Sequence, residues 1–153
     1  MTKLSPEVYD FFNRQGFVLV STLDSNNSIH ISCKGLVKVD KNGTLYLLDL
    51  YLKKTFENLK DRPSISIAAV HEHGFSGYCL KGKAKLVDRR DLPADILRSW
   101  EEKINSRISR RLIKNIKGEA GHPRHPEAAM PTPQYMIAME VHSVIDLTPA
   151  HLK

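Results

Sequence analysis

The feature that most constrains this chain is a series of short strand-like runs between residues 17 and 88, each ended by a turn signal. "FVLVSTL" (17–23) is rich in β-branched and aromatic residues, "DSNNS" reads as a turn, and "IHISCKGLVKVD" (29–40) returns as a long strand. "KNG" (41–43) is a hairpin signal ahead of "TLYLLDL" (44–50). "SISIAAV" (64–70), the loop "HEHGFSG" and "YCLKGKAKLVD" (78–88) extend the expected meander to five strands, and "QYMIAMEVHSVIDL" (134–147) supplies a sixth. Hairpin-linked strands leave unpaired edges, and closure into a barrel removes them. The expected fold is mainly β with flanking helices, a six-stranded antiparallel barrel whose open end or seam the helices cover.

Within residues 29–40, Ile29, Ile31 and Cys33 alternate with polar residues, and after Gly35 the apolar phase shifts to Leu36, Val37 and Val39. A glycine at such a break predicts a bulge or bend. Ser5-Pro6-Glu7 is a helix-start signature for a helix over 5–15, with Gly16 as its stop. "KKTFENLKD" (53–61) is short and helix-like, closed by Pro63. From about 92 to 117, Leu97, Trp100, Ile104, Ile108 and Leu112 recur at helical spacing, with Trp100 as core packing. Residues 118–133 hold four prolines and two glycines and read as an irregular loop. The whole of 1–153 is expected to be one domain.

Hydrophobic content of 41% with 26% charged residues is ordinary for a soluble globular chain. No apolar run approaches the roughly 18 residues a membrane span needs. The N-terminal stretch lacks an apolar signal segment, and Cys33 and Cys79 have no metal-type spacing, so a cytoplasmic setting with free thiols is expected. The net charge of +6 points to an anionic partner without choosing among nucleotide, nucleic acid and membrane surface. No Ser/His/Asp set, nucleophile elbow or glycine-rich dinucleotide fingerprint is present, so hydrolase and classical nucleotide-fold readings lack support.

The chemistry-bearing stretch is "LDLYLKKTFENLKDRPSISIAAV" (48–70). Lys53, Lys54 and Thr55 sit where a strand gives way to a short helix, which offers unpaired backbone N–H groups and a favourable dipole to a phosphate. The lysines act there as point charges and the threonine as a directional donor. Asn58 and Leu59 read as locking the segment onto the barrel.

The arrangement strand, Lys-Lys-Thr-x-x-Asn-Leu, Arg-Pro, strand, Leu-Lys-Gly-Lys-Ala resembles the FMN-binding split barrels of the pyridoxamine 5′-phosphate oxidase-like superfamily. "GFVLVSTLDSNNSIHIS" and the closing "MIAMEVHSVIDLTP" share in the resemblance. It implies a homodimeric six-stranded split β-barrel with FMN in each of two clefts between subunits. The phosphate would be held by Lys53, Lys54 and Thr55. The ring would lie along largely main-chain groups of Ser32, Cys33 and Lys34 and of Asp49, Leu50 and Tyr51, with Lys34 tuning its potential. The arginine and histidine set that grips the vitamin phosphate near the C-terminus of the oxidase has no counterpart here, so the substrate and electron donor stay unassigned.

His71 and His73, and His122 and His125, lack a supporting ligand cluster and read as loop histidines; haem-handling relatives in the superfamily keep a haem alternative open. Lys103, Arg107, Arg110, Arg111, Lys114 and Lys117 read as a solvated helix face, or else as a cationic cluster meeting an anionic substrate. Phe75 and Tyr78 read as packing residues, and Cys33 as a small hydrophobe rather than a redox thiol. The expected function is an FMN-dependent oxidoreductase. The alternatives are a flavin-binding electron-transfer or carrier protein, and a cofactor-free basic barrel that binds nucleic acid.

Overall fold

The computed structural model describes residues 2–119 and 132–152. The expected loop histidines His122 and His125, with most of the Pro-rich stretch, lie outside them. In chain order the elements are α1 (Pro6–Asn13), β1 (Phe17–Leu23), β2 (Ile29–Asp40), β3 (Thr44–Asp49), α2 (Lys54–Asp61), β4 (Ser64–His71), β5 (Ser76–Asp88), α3 (Ala94–Ile116) and β6 (Tyr135–Asp146). The strands close into a six-stranded antiparallel barrel in the order β1-β2-β3-β6-β5-β4, with β4 returning to pair with β1.

That order corrects the expected five-strand meander. β3 does not pair with β4; β6 fills the place beside β3, and α2 carries the chain across the barrel end to the far edge of β1. Local hairpin signals specify β1-β2-β3 and β4-β5 but carry no information about which edge a helix-linked strand will reach.

Both tight turns follow from their sequences. The Asp24 carboxylate accepts the N–H groups of Asn26 and Ser28, each at 2.9 Å, and Asn27 takes a left-handed φ of 63°. Gly43, at φ 98°, allows the β2-β3 turn to close. Gly16 lacks the left-handed geometry of a helix-stopping glycine: α1 ends at Arg14 in right-handed geometry, and Gly16 instead leads into β1. At the other end of α1, the Ser5 hydroxyl accepts the Val8 N–H at 3.3 Å.

The barrel interior is filled from all six strands by fully buried side chains such as Val20, Leu36, Leu47, Ile67, Leu80 and Ile137. Phe12 of α1 and Leu59 of α2 join the same cluster. Phe11 stands edge-on to Tyr78, whose phenol is pushed up to about 12 by burial first and the Glu7 carboxylate second. α2 closes the opposite end, with Phe56 edge-on to Tyr135 and Asn58 donating to Thr22 Oγ1 at 3.0 Å. Asn58 and Leu59 thus lock α2 onto the barrel, as their sequence positions suggest. α3 covers no end. It lies along the outer wall, where Ile96 and Trp100 pack on Val37, Leu48 and Met136.

The phase break near Gly35 has a physical basis. The β2-β3 register shifts between Leu36 and Lys38, so Val37 and Lys38 both fall outside between inward-facing Leu36 and Val39. A second shift, between Lys81 and Gly82, gives β6 one extra residue at His142. There the Glu140 carbonyl oxygen occupies the space that a Cβ on residue 82 would need. Gly82→Ala is expected to cost about 1–3 kcal/mol, whereas Lys83→Ala, at an exposed neighbour, should be near neutral. Thermal unfolding of the two variants side by side checks this.

Candidate functional site

Antiparallel partners share a face, so the pairing of β2 with β1 tells which way each side chain points. Ser32 and Lys34 oppose Val20 and Val18, both buried in the core, and therefore face inward. Ile31 and Cys33 oppose Ser21 and Leu19 and face outward, with Ile31 60% and Leu19 50% exposed. The first half of β2 is therefore inside-out, polar toward the barrel and apolar toward the surroundings.

The inward polar residues meet the strand-to-helix turn. Ser32 Oγ lies 3.1 Å from Thr55 Oγ1, joining the two stretches that the sequence singled out separately. Lys34 forms an ion pair with Asp49, and both side chains are close to fully buried. Asp49 is also held by the Tyr135 hydroxyl, which donates to Oδ2 at 2.7 Å, and by the N–H groups of Leu50 at 2.9 Å and Tyr51 at 3.4 Å. Burial first, then the hydrogen bond to Asp49, raises the Tyr135 phenol far above its ordinary range.

Tyr135 escaped the sequence reading. A tyrosine at the first position of an apolar strand needs a buried partner for its hydroxyl, and that signal pointed to some acceptor without naming Asp49.

Around the turn, Lys53 is the residue before the first turn of α2 and makes no capping bond with its side chain. Its ammonium stands 5.2 Å above the Tyr51 ring, and Tyr51 is itself 58% exposed. Lys54 opens the helix and is exposed, whereas Thr55 is buried. The helix start thus offers uncapped N–H groups and two lysines to an anion.

Of the residues expected from the sequence, Ser32, Lys34, Asp49 and Thr55 converge. Lys53, Lys54 and Tyr51 flank them on the exposed side. Cys33 points to the opposite face, and the N–H groups of Leu50 and Tyr51 already serve Asp49. A groove of about 810 Å³ runs beside the cluster, lined by Leu52, Phe56, Lys60, Arg89, Arg90 and Tyr135 among others. Among the described residues no set of three His, Cys, Asp or Glu side chains could hold a metal ion.

The basic helix face departs from the solvated reading at two positions. Lys103 donates to the Leu36 carbonyl at 2.9 Å and Arg107 to that of Gly16 at 2.7 Å, tying α3 to the barrel wall.

A protein-family model described as pyridoxamine 5′-phosphate oxidase matches residues 4–145, nearly the whole chain. The chain belongs to that family. Among solved structures, HupZ of Group A Streptococcus superimposes with a TM-score of 0.63 at 20% identity, over 95% of this chain and 94% of that one. A protein named F420 reductase gives a TM-score of 0.57 at 11% identity, covering 92% and 98%. HutZ of Vibrio cholerae, named a heme storage protein, gives 0.54 at 16% identity, covering 94% of each chain. At these identities the likeness establishes the fold alone. No curated protein matches the chain. Among the described residues, no helix is long and apolar enough to cross a membrane.

If the Tyr135 hydroxyl is a working partner of Asp49, Tyr135→Phe should lose about 1.5–3 kcal/mol, the usual worth of a hydrogen bond to a charged group. Urea unfolding reads this directly, and a loss within error of zero would remove Tyr135 from the cluster.

Proposed function

We propose that this protein is a homodimeric FMN-binding oxidoreductase, with a flavin in each of two clefts at the subunit seam. The observation that carries the reading is the meeting of Ser32 with Thr55 at the uncapped, two-lysine start of α2. Membership of the pyridoxamine 5′-phosphate oxidase family is consistent with it.

Lys53 and Lys54 would neutralise the cofactor phosphate, and the first-turn N–H groups would donate to it. Thr55 would exchange its bond with Ser32 for one with the phosphate, or share the two. Ser32, Cys33 and Lys34 on one strand and Asp49, Leu50 and Tyr51 on the next would border the ring. Lys34 is paired with Asp49, so its effect on the ring would be that of a partly compensated cation. Tyr135 fixes the Asp49 carboxylate, and through it the position of the Lys34 ammonium. Bound FMN would supply the redox chemistry, with the protein orienting it and setting its electrostatics.

The seam would be the outward apolar face. One row of directly paired residues crosses five strands there, Cys33-Leu19-Ala68-Cys79-Ile145, with the exposed Ile29, Ile31 and Phe17 beside it. Full burial of each large side chain is worth about 1.5–3 kcal/mol, which favours association of two such faces. The names borne by HutZ and the F420 reductase make haem and F420 the competing occupants.

Absorbance and mass spectrometry of the ligand that co-purifies separate the three. The expected result is FMN; haem, or a colourless protein indifferent to added FMN, would overturn the reading. The paired substitution Lys54→Ala with Thr55→Ala should weaken FMN binding at least about tenfold, the loss of roughly one charge-assisted hydrogen bond. Fluorescence titration checks this, and an unchanged affinity would remove the phosphate from this turn.

A further inference from the structure

α3 carries a stripe of cations that the flavin reading leaves unused. Lys103, Arg107, Arg111 and Lys114 follow one another at spacings of three or four, with Arg110 alongside. Like charges at that spacing destabilise a helix, so the stripe is kept at a cost. It borders a groove of about 540 Å³ between α3 and the turn from α1 into β1, whose other wall adds Arg14, Gly16 and Phe17. Among the described residues of the lining, Glu102 is the one acid. Among the described residues no ion pair joins Arg14, Lys103 or Arg110 to a carboxylate, and Lys114 meets the exposed Glu119 at 3.6 Å. The Lys103 ammonium is held below its ordinary range by burial first and the Arg107 charge second, so these two cations already act on one another at the groove wall.

We propose that this groove binds a small polyanion of the phosphate-ester class, carrying two or more phosphate groups. Guanidinium forks suit phosphate oxygens in pairs, and Arg110 and Arg14 are exposed at the groove rim to provide them. Two features favour a compact ligand over a nucleic-acid strand. The groove is small, about 540 Å³, and the half-exposed ring of Phe17 carries the Arg107 guanidinium on one face at 4.4 Å. Phe17 is the one aromatic side chain among the described lining residues, too few for the run of platforms on which successive bases stack. The groove shares no residue with the proposed phosphate turn: Arg107 lies against Gly16 and Gly35, whereas that turn is met through Thr55 by Ser32 from the inward side of β2.

Isothermal titration of the full-length protein with sodium triphosphate at fixed ionic strength tests this, with FMN titrated in parallel. The expected result is saturable binding near one triphosphate per chain. Arg110→Glu with Lys114→Glu, both at exposed positions that leave the Lys103 and Arg107 anchors intact, should weaken it about tenfold or more. FMN affinity should stay unchanged. Absence of saturable binding, equal affinity in the variant, or tighter and length-dependent binding of a single-stranded oligonucleotide would each overturn the proposal. A protein that binds triphosphate but no FMN would keep the groove and remove the flavin reading.

Discussion

Between Ile29 and Lys34, β2 turns its apolar side chains away from the barrel and its polar ones toward it. Such an inversion is unfavourable in an isolated domain, because it places Ser32 and Lys34 among buried groups while leaving Ile29 and Ile31 in water. It is tolerated only if the inward polar groups find partners and the outward apolar ones find a cover. The first condition is met within the chain by Thr55 and Asp49. The second is what the proposed dimer would satisfy. From Leu36 the inward side is apolar again, and the extra residue at Val37 and Lys38 keeps it so by turning Val39 inward.

The Lys34-Asp49-Tyr135 cluster links this inversion to barrel closure. A nearly buried ion pair repays its desolvation only when the remaining lone pairs are also bonded. Here the bonds come from three strands and the turn after β3: Lys34 on β2, Asp49 and the following N–H groups at the end of β3, and Tyr135 at the start of β6. β6 reaches the cluster only because it inserts between β3 and β5. The candidate site and the closed topology are therefore supported by the same residues, and a change at Asp49 should be felt in both.

Much of this was legible in the sequence where the information is local. The first two strands fall where their β-branched runs and turn signals put them, and the phase break after Gly35 announced the bulge. The six-stranded barrel followed from the need to remove edges. What was not legible is long-range. Alternation at Ile29, Ile31 and Cys33 says that one face is apolar but not that this face looks outward. Nothing near Pro63 says that β4 will travel to β1, or that α3 will lie on the outer wall rather than cover an end. Tyr135 and Asp49 are 86 positions apart, so only the folded register could pair them. At the candidate site, the strand-to-helix turn was readable from its lysines and threonine, whereas its contact with Ser32 was not.

The central claim is that the inside-out half of β2 serves the cofactor cleft and the subunit seam at once, its inward polar groups bracing the phosphate turn and its outward apolar groups pairing the two subunits. Ile31→Arg places a charge on the outward face without touching Ser32, Lys34 or Thr55. Sedimentation equilibrium of this variant, with FMN titrated into the same samples, is the most direct measurement. A folded monomer that has lost most of its FMN affinity is the expected result. A monomer that binds FMN as tightly as the parent protein, or a dimer undisturbed by the arginine, would contradict it.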